Sequence, residues 1–186
     1  MRIVVSGTHA SGKSTLIEAF AARHPEYRVL PDPFEEVLDD GFGELDAGLF
    51  ERQLEIAARR LIALPPDSDV IAERGPIDFL AYLLALDRLG RPGRPHGSLD
   101  EGVQWAQAAA AHIDLLLVLP IDADAEIRVA DDEDAALRDE TDQVLLELIE
   151  QPDLTGPRVV EIAGSPATRL SLMERVILDA PTGDAR

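Results

Sequence analysis

The chain has 186 residues, enough for one compact domain, and its composition, 46% hydrophobic and 28% charged, suffices to bury a core. Lys+Arg 17 against Asp+Glu 36 leave a formal net charge of −19, a surface that repels nucleic acid and anionic membrane and so argues against a general role on DNA, RNA or lipid. Cysteine is absent, which removes disulfides, thiol catalysis and Cys-ligated zinc.

Taken in chain order, Ile3, Val4 and Val5 read as a short buried strand ended by Gly7. A helix follows over 13–23, with Leu16, Ile17 and Phe20 on one face and Pro25 beyond its end. Residues 27–30 form a second strand stopped by Pro31 and Pro33, and 48–64 a long amphipathic helix broken by Pro65 and Pro66. The third strand is 70–72, ending in Glu73, Arg74 and Gly75. A helix over 76–89 follows, with Pro76 in its first turn. The segment 90–97 is Gly- and Pro-rich and reads as a loop. Helix 99–112, strand 113–119, a mostly helical stretch 123–150, strand 158–163 and helix 166–178 complete the order. Continuous apolar strands alternating with helices predict an α/β fold, a parallel sheet covered on both faces. No linker or repeat divides the chain, so a single domain over 1–186 is expected. The N-terminal apolar stretch is too short for a secretion signal. The longest apolar run, 115–121, is broken by Pro120 and cannot span a bilayer, so a cytoplasmic protein is expected.

Gly7, Thr8, His9, Ala10, Ser11, Gly12, Lys13 and Ser14 match the pattern Gly-x-x-x-x-Gly-Lys-Ser/Thr, followed by Thr15. Glycines let the backbone wrap a phosphate chain while the first-turn amides of the next helix point into it. Lys13 reaches the terminal phosphates and the Ser14 hydroxyl is a ligand for Mg²⁺. A chance match in a chain of this length is on the order of one in a hundred or rarer, and the strand before and helix after agree with the motif. Sixteen of the basic residues are Arg and one is Lys; that single lysine is Lys13, where the motif requires it. Asparagine is absent, so the Asn-Lys-x-Asp reader of Ras-type GTPases cannot exist here. The expected ligands are ATP and Mg²⁺.

With Glu73-Arg74-Gly75-Pro76-Ile77-Asp78, Ala81-Tyr82, and the late Gly164-Ser165-Pro166 with Arg169, the phosphate loop resembles the P-loop NTPase superfamily. Within it, the chain is similar to small AAA-type ATPase domains related to ribosylnicotinamide kinase and, more distantly, to deoxynucleoside kinases. The resemblance implies a three-layer fold with a five-stranded parallel sheet of order 2-3-1-4-5, ligands at its C-terminal edge, and a helical lid at about 123–150. It implies Asp32, followed by Pro33, as general base, with Glu35 and Glu36 as nearby alternatives. It puts Glu73 near Mg²⁺ or substrate and Arg74 on substrate or phosphate. Gln53, after Phe50 and before Arg59 and Arg60, is implied as a substrate reader. Arg138, and less closely Arg128, are implied as lid arginines flanking the acidic run 131–134. Gly164 and Ser165 are implied against adenine, and Ser165 also reads as an N-cap. Asp78 and Tyr82 lie four apart on one helix face, Asp78 as a candidate substrate contact and Tyr82 as packing. The scattered histidines, His9, His24, His96 and His112, do not read as a zinc set, and Trp105 reads as packing. The expected activity is phosphotransfer from ATP to a small, nucleoside-like or other hydroxylated acceptor, with a neutral or cationic acceptor favoured by the acidic lid. The alternative is a regulatory ATPase that binds and slowly hydrolyses ATP.

Overall fold

In the computed structural model, which describes residues 1–38, 47–91, 99–121 and 134–179, strands and helices alternate as the apolar runs predict. The elements are β1 (Arg2–Ser6), α1 (Lys13–Arg23), β2 (Arg28–Leu30), α2 (Phe34–Leu38), α3 (Ala47–Ile62), β3 (Val70–Glu73) and α4 (Pro76–Arg88). They continue with α5 (Leu99–Ala110), β4 (Leu115–Val118), α6 (Ala135–Leu148), α7 (Pro152–Thr155), β5 (Val159–Glu161) and α8 (Pro166–Leu178). The strands pair in parallel in the order β2-β3-β1-β4-β5.

Strand periodicity divides the core in two. Ile3, Val5, Ile71, Leu115 and Leu117 turn to one face and pack with Leu16, Ile17 and Phe20 of α1 and Met173 of α8. Val4, Val70, Ala72, Leu116 and Val118 turn to the other, where α3, α4, α5 and α6 cover them. Both faces are dry, which is why the strands carry continuous apolar runs rather than an alternation. The register sets Val5 beside Glu73 and Ser6 beside Val118, so β1, β3 and β4 end together at the edge where the phosphate motif begins.

Two short helices, α2 and α7, interrupt stretches without apolar periodicity. α2 follows Asp32, whose Oδ1 accepts from the Phe34 amide at 2.9 Å. β4 and β5 are shorter than their apolar runs, because pairing rather than hydrophobicity delimits a strand. α6 forms the later part of the expected lid and lies against α4, tied by Arg88 to Glu140 and Glu147 and by Arg91 to Asp134. Arg128, His96, the acidic residues 131–133 and most of the Gly/Pro-rich segment lie outside the described residues. Among the described residues no helix is long and apolar enough to cross a membrane.

Two glycines with positive φ separate backbone conformation from crowding. Gly156, after α7, has φ 82° and ψ −174°, and a Cβ there would meet Ile113 O at 2.8 Å and Ala110 O at 3.0 Å. Gly90, at φ 62°, has open space around the same position. Gly90→Ala is expected to cost about 1 kcal/mol in denaturant unfolding, and Gly156→Ala at least about 2 kcal/mol more, since fixed backbone cannot move aside. Equal losses would mean that the overlap relaxes.

Candidate functional site

The phosphate motif occupies the turn between β1 and α1, and its backbone needs glycine where the sequence supplies it. Gly7 has φ 148°, and a Cβ there would lie 2.6 Å from both Leu119 O and Ser11 Oγ. Gly12, at φ 90°, precedes α1 in the left-handed region, and Ala10 shares a positive φ of 51°. No side chain caps α1, so the amides of its first turn are left for a ligand in the loop. Ser14 and Thr15 are exposed on that first turn.

Asp78, expected to touch substrate, faces the protein interior at the start of α4. It is 1% exposed, and its carboxylate accepts from Ser6 Oγ at 2.6 Å, from the Gly7 amide at 2.8 Å and from the Gly75 amide at 2.8 Å. These bonds join the end of β1, the start of the loop and the start of α4, and they engage both oxygens. One helical turn later Tyr82 accepts from the His9 amide at 3.0 Å through its hydroxyl. Tyr82 does pack as expected, stacked on Phe50 with centroids 4.6 Å apart and planes 7° from parallel. Its contact with the loop was not anticipated, although the i, i+4 spacing from Asp78 is the signal that points to it.

The loop's carbonyls are met by cations from four elements. Lys13 Nζ donates to Thr8 O at 2.7 Å, with Ser11 Oγ at 3.4 Å. Arg74, at the end of β3, donates through Nη1 to Gly7 O at 3.3 Å. Arg138 of α6 donates through Nε to His9 O at 3.0 Å, and Arg169 of α8 through Nη1 to Ser11 O at 2.5 Å. Burial pushes Lys13 down from its ordinary 10.5 to about 7, helped by Arg74 and opposed by Asp78, Glu73 and Asp32. For Arg74, burial alone would lower the pKa, but the Tyr82 oxygen and the carboxylates of Asp32 and Asp78 outweigh it and hold the group above its ordinary value.

On the β2–β3 side, Arg74 takes a left-handed φ of 63° and turns its Nε to Asp32 Oδ2 at 2.8 Å. Its guanidinium lies 5.4 Å from the Tyr82 ring centroid. Glu73 accepts from Ser14 Oγ at 2.7 Å. Beside them a shallow cleft opens between the ends of β2 and β3 and the α3 helix, walled by Leu30, Pro31, Ala57 and Leu61 and rimmed by Arg60 and Glu73. Gln53, expected to read substrate, is instead buried at 4% exposure with its amide on Leu49 O at 3.4 Å; it sits on the packed face of α3. Ser165 caps α8, accepting from the Thr168 amide at 3.3 Å, and follows Gly164 at φ 99°. Among the described residues no group of three or more His, Cys, Asp or Glu side chains could hold a metal.

Because Asp78 faces donors only, Asp78→Asn turns an N–H toward a backbone N–H inside a buried site. A loss of about 2–4 kcal/mol in denaturant unfolding is expected, and a loss under about 0.5 kcal/mol would show the three bonds to be dispensable.

Solved structures with this architecture include thymidylate kinase from Candida albicans, at 18% identity and TM-score 0.65 over 95% of this chain and 90% of that one. Deoxyadenosine kinase from M. mycoides, with bound dATP, is 15% identical with TM-score 0.66 over 96% and 100% of the two chains. Thymidylate kinase from Ehrlichia chaffeensis is 12% identical with TM-score 0.67 over 96% and 98%. No curated protein matches the sequence. At such identities the likeness is one of fold, whereas the AAA domain family matches in sequence over residues 2–169, from the start of β1 to the arginine that reaches the loop from α8. The chain belongs to the AAA domain family, on a P-loop kinase fold.

Proposed function

We propose that the protein transfers the terminal phosphate of ATP to a hydroxyl of a small acceptor. The observation that carries this reading is the chain of contacts from Asp32 through Arg74 to the Gly7 carbonyl, which ties a half-buried carboxylate to the phosphate loop. The kinases that share the fold support the same reading.

In this scheme the acceptor lies in the cleft between β2, β3 and α3. Its O–H proton passes to Asp32, its oxygen bonds to the terminal phosphorus, and the bond to the bridging oxygen breaks to release ADP. Lys13, Arg74 and Arg138 neutralise the charge on the transferring group by turning from loop carbonyls to phosphate oxygens. Ser14 and Glu73, oxygen donors 2.7 Å apart, suit Mg²⁺, which takes few protein ligands and keeps several waters. Mg²⁺, when bound, offsets phosphate charge. Gly164 and Ser165 line the adenine side. Because the hydroxyl of Ser165 is engaged in capping α8, the backbone there is what meets the base. A neutral or cationic alcohol is favoured by the acidic run 131–134 of the lid sequence.

The deciding assay is ADP release from Mg²⁺-ATP with nucleosides, nucleoside monophosphates, ribosylnicotinamide and aminoglycoside-like alcohols. Release should depend on one acceptor class and fall about a hundredfold or more in Lys13→Ala. Slow hydrolysis unaffected by any acceptor would favour the regulatory ATPase, and efficient turnover of a monophosphate would overturn the choice of a neutral or cationic acceptor.

Lys13 also predicts a pH effect. With its pKa at about 7 in the nucleotide-free protein, the group is mostly neutral at pH 8.5, and a phosphate beside it favours the charged form. Nucleotide binding at pH 8.5 should therefore take up about one proton, measured by calorimetry in buffers of different ionisation enthalpy. Uptake should shrink toward pH 6, where Lys13 already holds its proton, and be lost in Lys13→Met. Equal uptake in Lys13→Met would assign the proton elsewhere.

A further inference from the structure

Tyr82 touches both halves of the proposed reaction. On its hydroxyl side it accepts from the His9 amide of the phosphate loop at 3.0 Å, while the next peptide group, His9 C=O, is held by Arg138 Nε at 3.0 Å. On its ring side it carries the Arg74 guanidinium at 5.4 Å, and that arginine holds Asp32 at 2.8 Å. The ring has little freedom to shift, because Phe50 of α3 stacks on it and the residue is 7% exposed. α4 therefore grips the loop twice on one face: Asp78 at the Gly7 amide and Tyr82, one turn on, at the His9 amide.

We propose that Tyr82 is a positioning residue that sets the phosphate loop in register with the proton-accepting Asp32; the inference rests on the phosphotransfer reading. The two contacts have different consequences. The charge that attracts phosphate comes from Lys13, the arginines and the first-turn amides of α1; of these Arg74 also meets the tyrosine oxygen, and Asp32 and the Gly7 carbonyl still hold it when the hydroxyl is gone. His9 lies on the opposite arm of the loop, and the tyrosine ties that arm to the arginine that holds the base. Losing the hydroxyl frees the arm without removing any cation. Binding persists while alignment of donor and acceptor loosens, and alignment is what the transfer step depends on.

Tyr82→Phe removes the hydroxyl and keeps the ring for Phe50 and Arg74. In the nucleotide-free protein, hydrogen exchange at the His9 amide should accelerate about tenfold, with exchange at Val4 and Leu116 unchanged. In turnover, kcat should fall about tenfold while KM for ATP stays within about twofold, a split that a merely structural residue would not give. Phe50→Leu, which loosens the ring but spares the hydroxyl, should move kcat in the same direction by less. Unchanged exchange at His9 would overturn the proposal, as would faster exchange with kcat unaltered, or a rise in KM that accounts for the whole loss. If no acceptor raises ADP release above the basal hydrolysis of the wild-type chain, the phosphotransfer reading falls. The tyrosine's hold on the loop is then decided by exchange at His9 with ADP bound: a tenfold acceleration in Tyr82→Phe sustains it, and no change overturns it.

Discussion

A single buried carboxylate governs the geometry at the sheet edge. Asp78 collects the hydroxyl of Ser6, the amide of Gly7 and the amide of Gly75, one donor each from the end of β1, the phosphate loop and the turn into α4. A carboxylate buried without such donors costs several kcal/mol, so a displaced loop is penalised far more steeply than by a single lost contact. The convergence needs close backbone approach, and Gly75 permits it: a Cβ there would come within 2.9 Å of Val4 Cγ1. Gly7 meets the same demand against Leu119 O. The glycines and the aspartate are therefore one device, in which small residues let three chain segments meet and the acid bonds them where they do.

The rest of the site hangs on this junction. Because α4 is fixed at its start by Asp78, its next turn brings Tyr82 to the His9 amide, and Phe50 of α3 locks the ring. Because β3 ends beside β1, Arg74 can bridge Gly7 O and Asp32. α6 is fixed against α4, which brings Arg138 to His9 O, and α8 crosses the opposite face of the sheet to deliver Arg169 to Ser11 O. Each contact draws on a different secondary-structure element, yet all end on the same few peptide groups.

Much of this was legible in the sequence, and the part that was not has a physical reason. The parallel sheet follows from continuous apolar runs such as Ile3–Val5, and α1 and α8 begin and end where periodicity and breakers place them, over Lys13–Arg23 and Pro166–Leu178. The loop was legible because its chemistry demands fixed residues at fixed spacing. α2 and α7 were not, since helices of five and four residues contain too little periodicity to be seen. The substrate roles of Gln53 and Asp78 come from the family resemblance and from position on the helix, neither of which shows what the side chain touches. Both are buried, one bonded to backbone donors of its neighbours and the other to its own helix. Periodicity tells which face of a helix is apolar, but not which polar residue within that face has found partners in another segment.

The remaining problem is electrostatic: a chain of net charge −19 must hold a polyanion. Four cations on four elements already donate to loop carbonyls, so their positions are set before any phosphate arrives. Carbonyl oxygens carry only partial charge, and phosphate oxygens are better acceptors for the same donors, so exchange of one for the other is favourable and needs little movement. Lys13 shows what this costs when no anion is present, since burial brings it close to losing its proton near pH 7. Arg74 stays charged because its guanidinium sits between Asp32, Tyr82 and the loop. Placing the chain's only lysine where its charge can be relinquished, and arginines where it cannot, keeps the empty site tolerable within the fold while leaving it strongly attractive to phosphate.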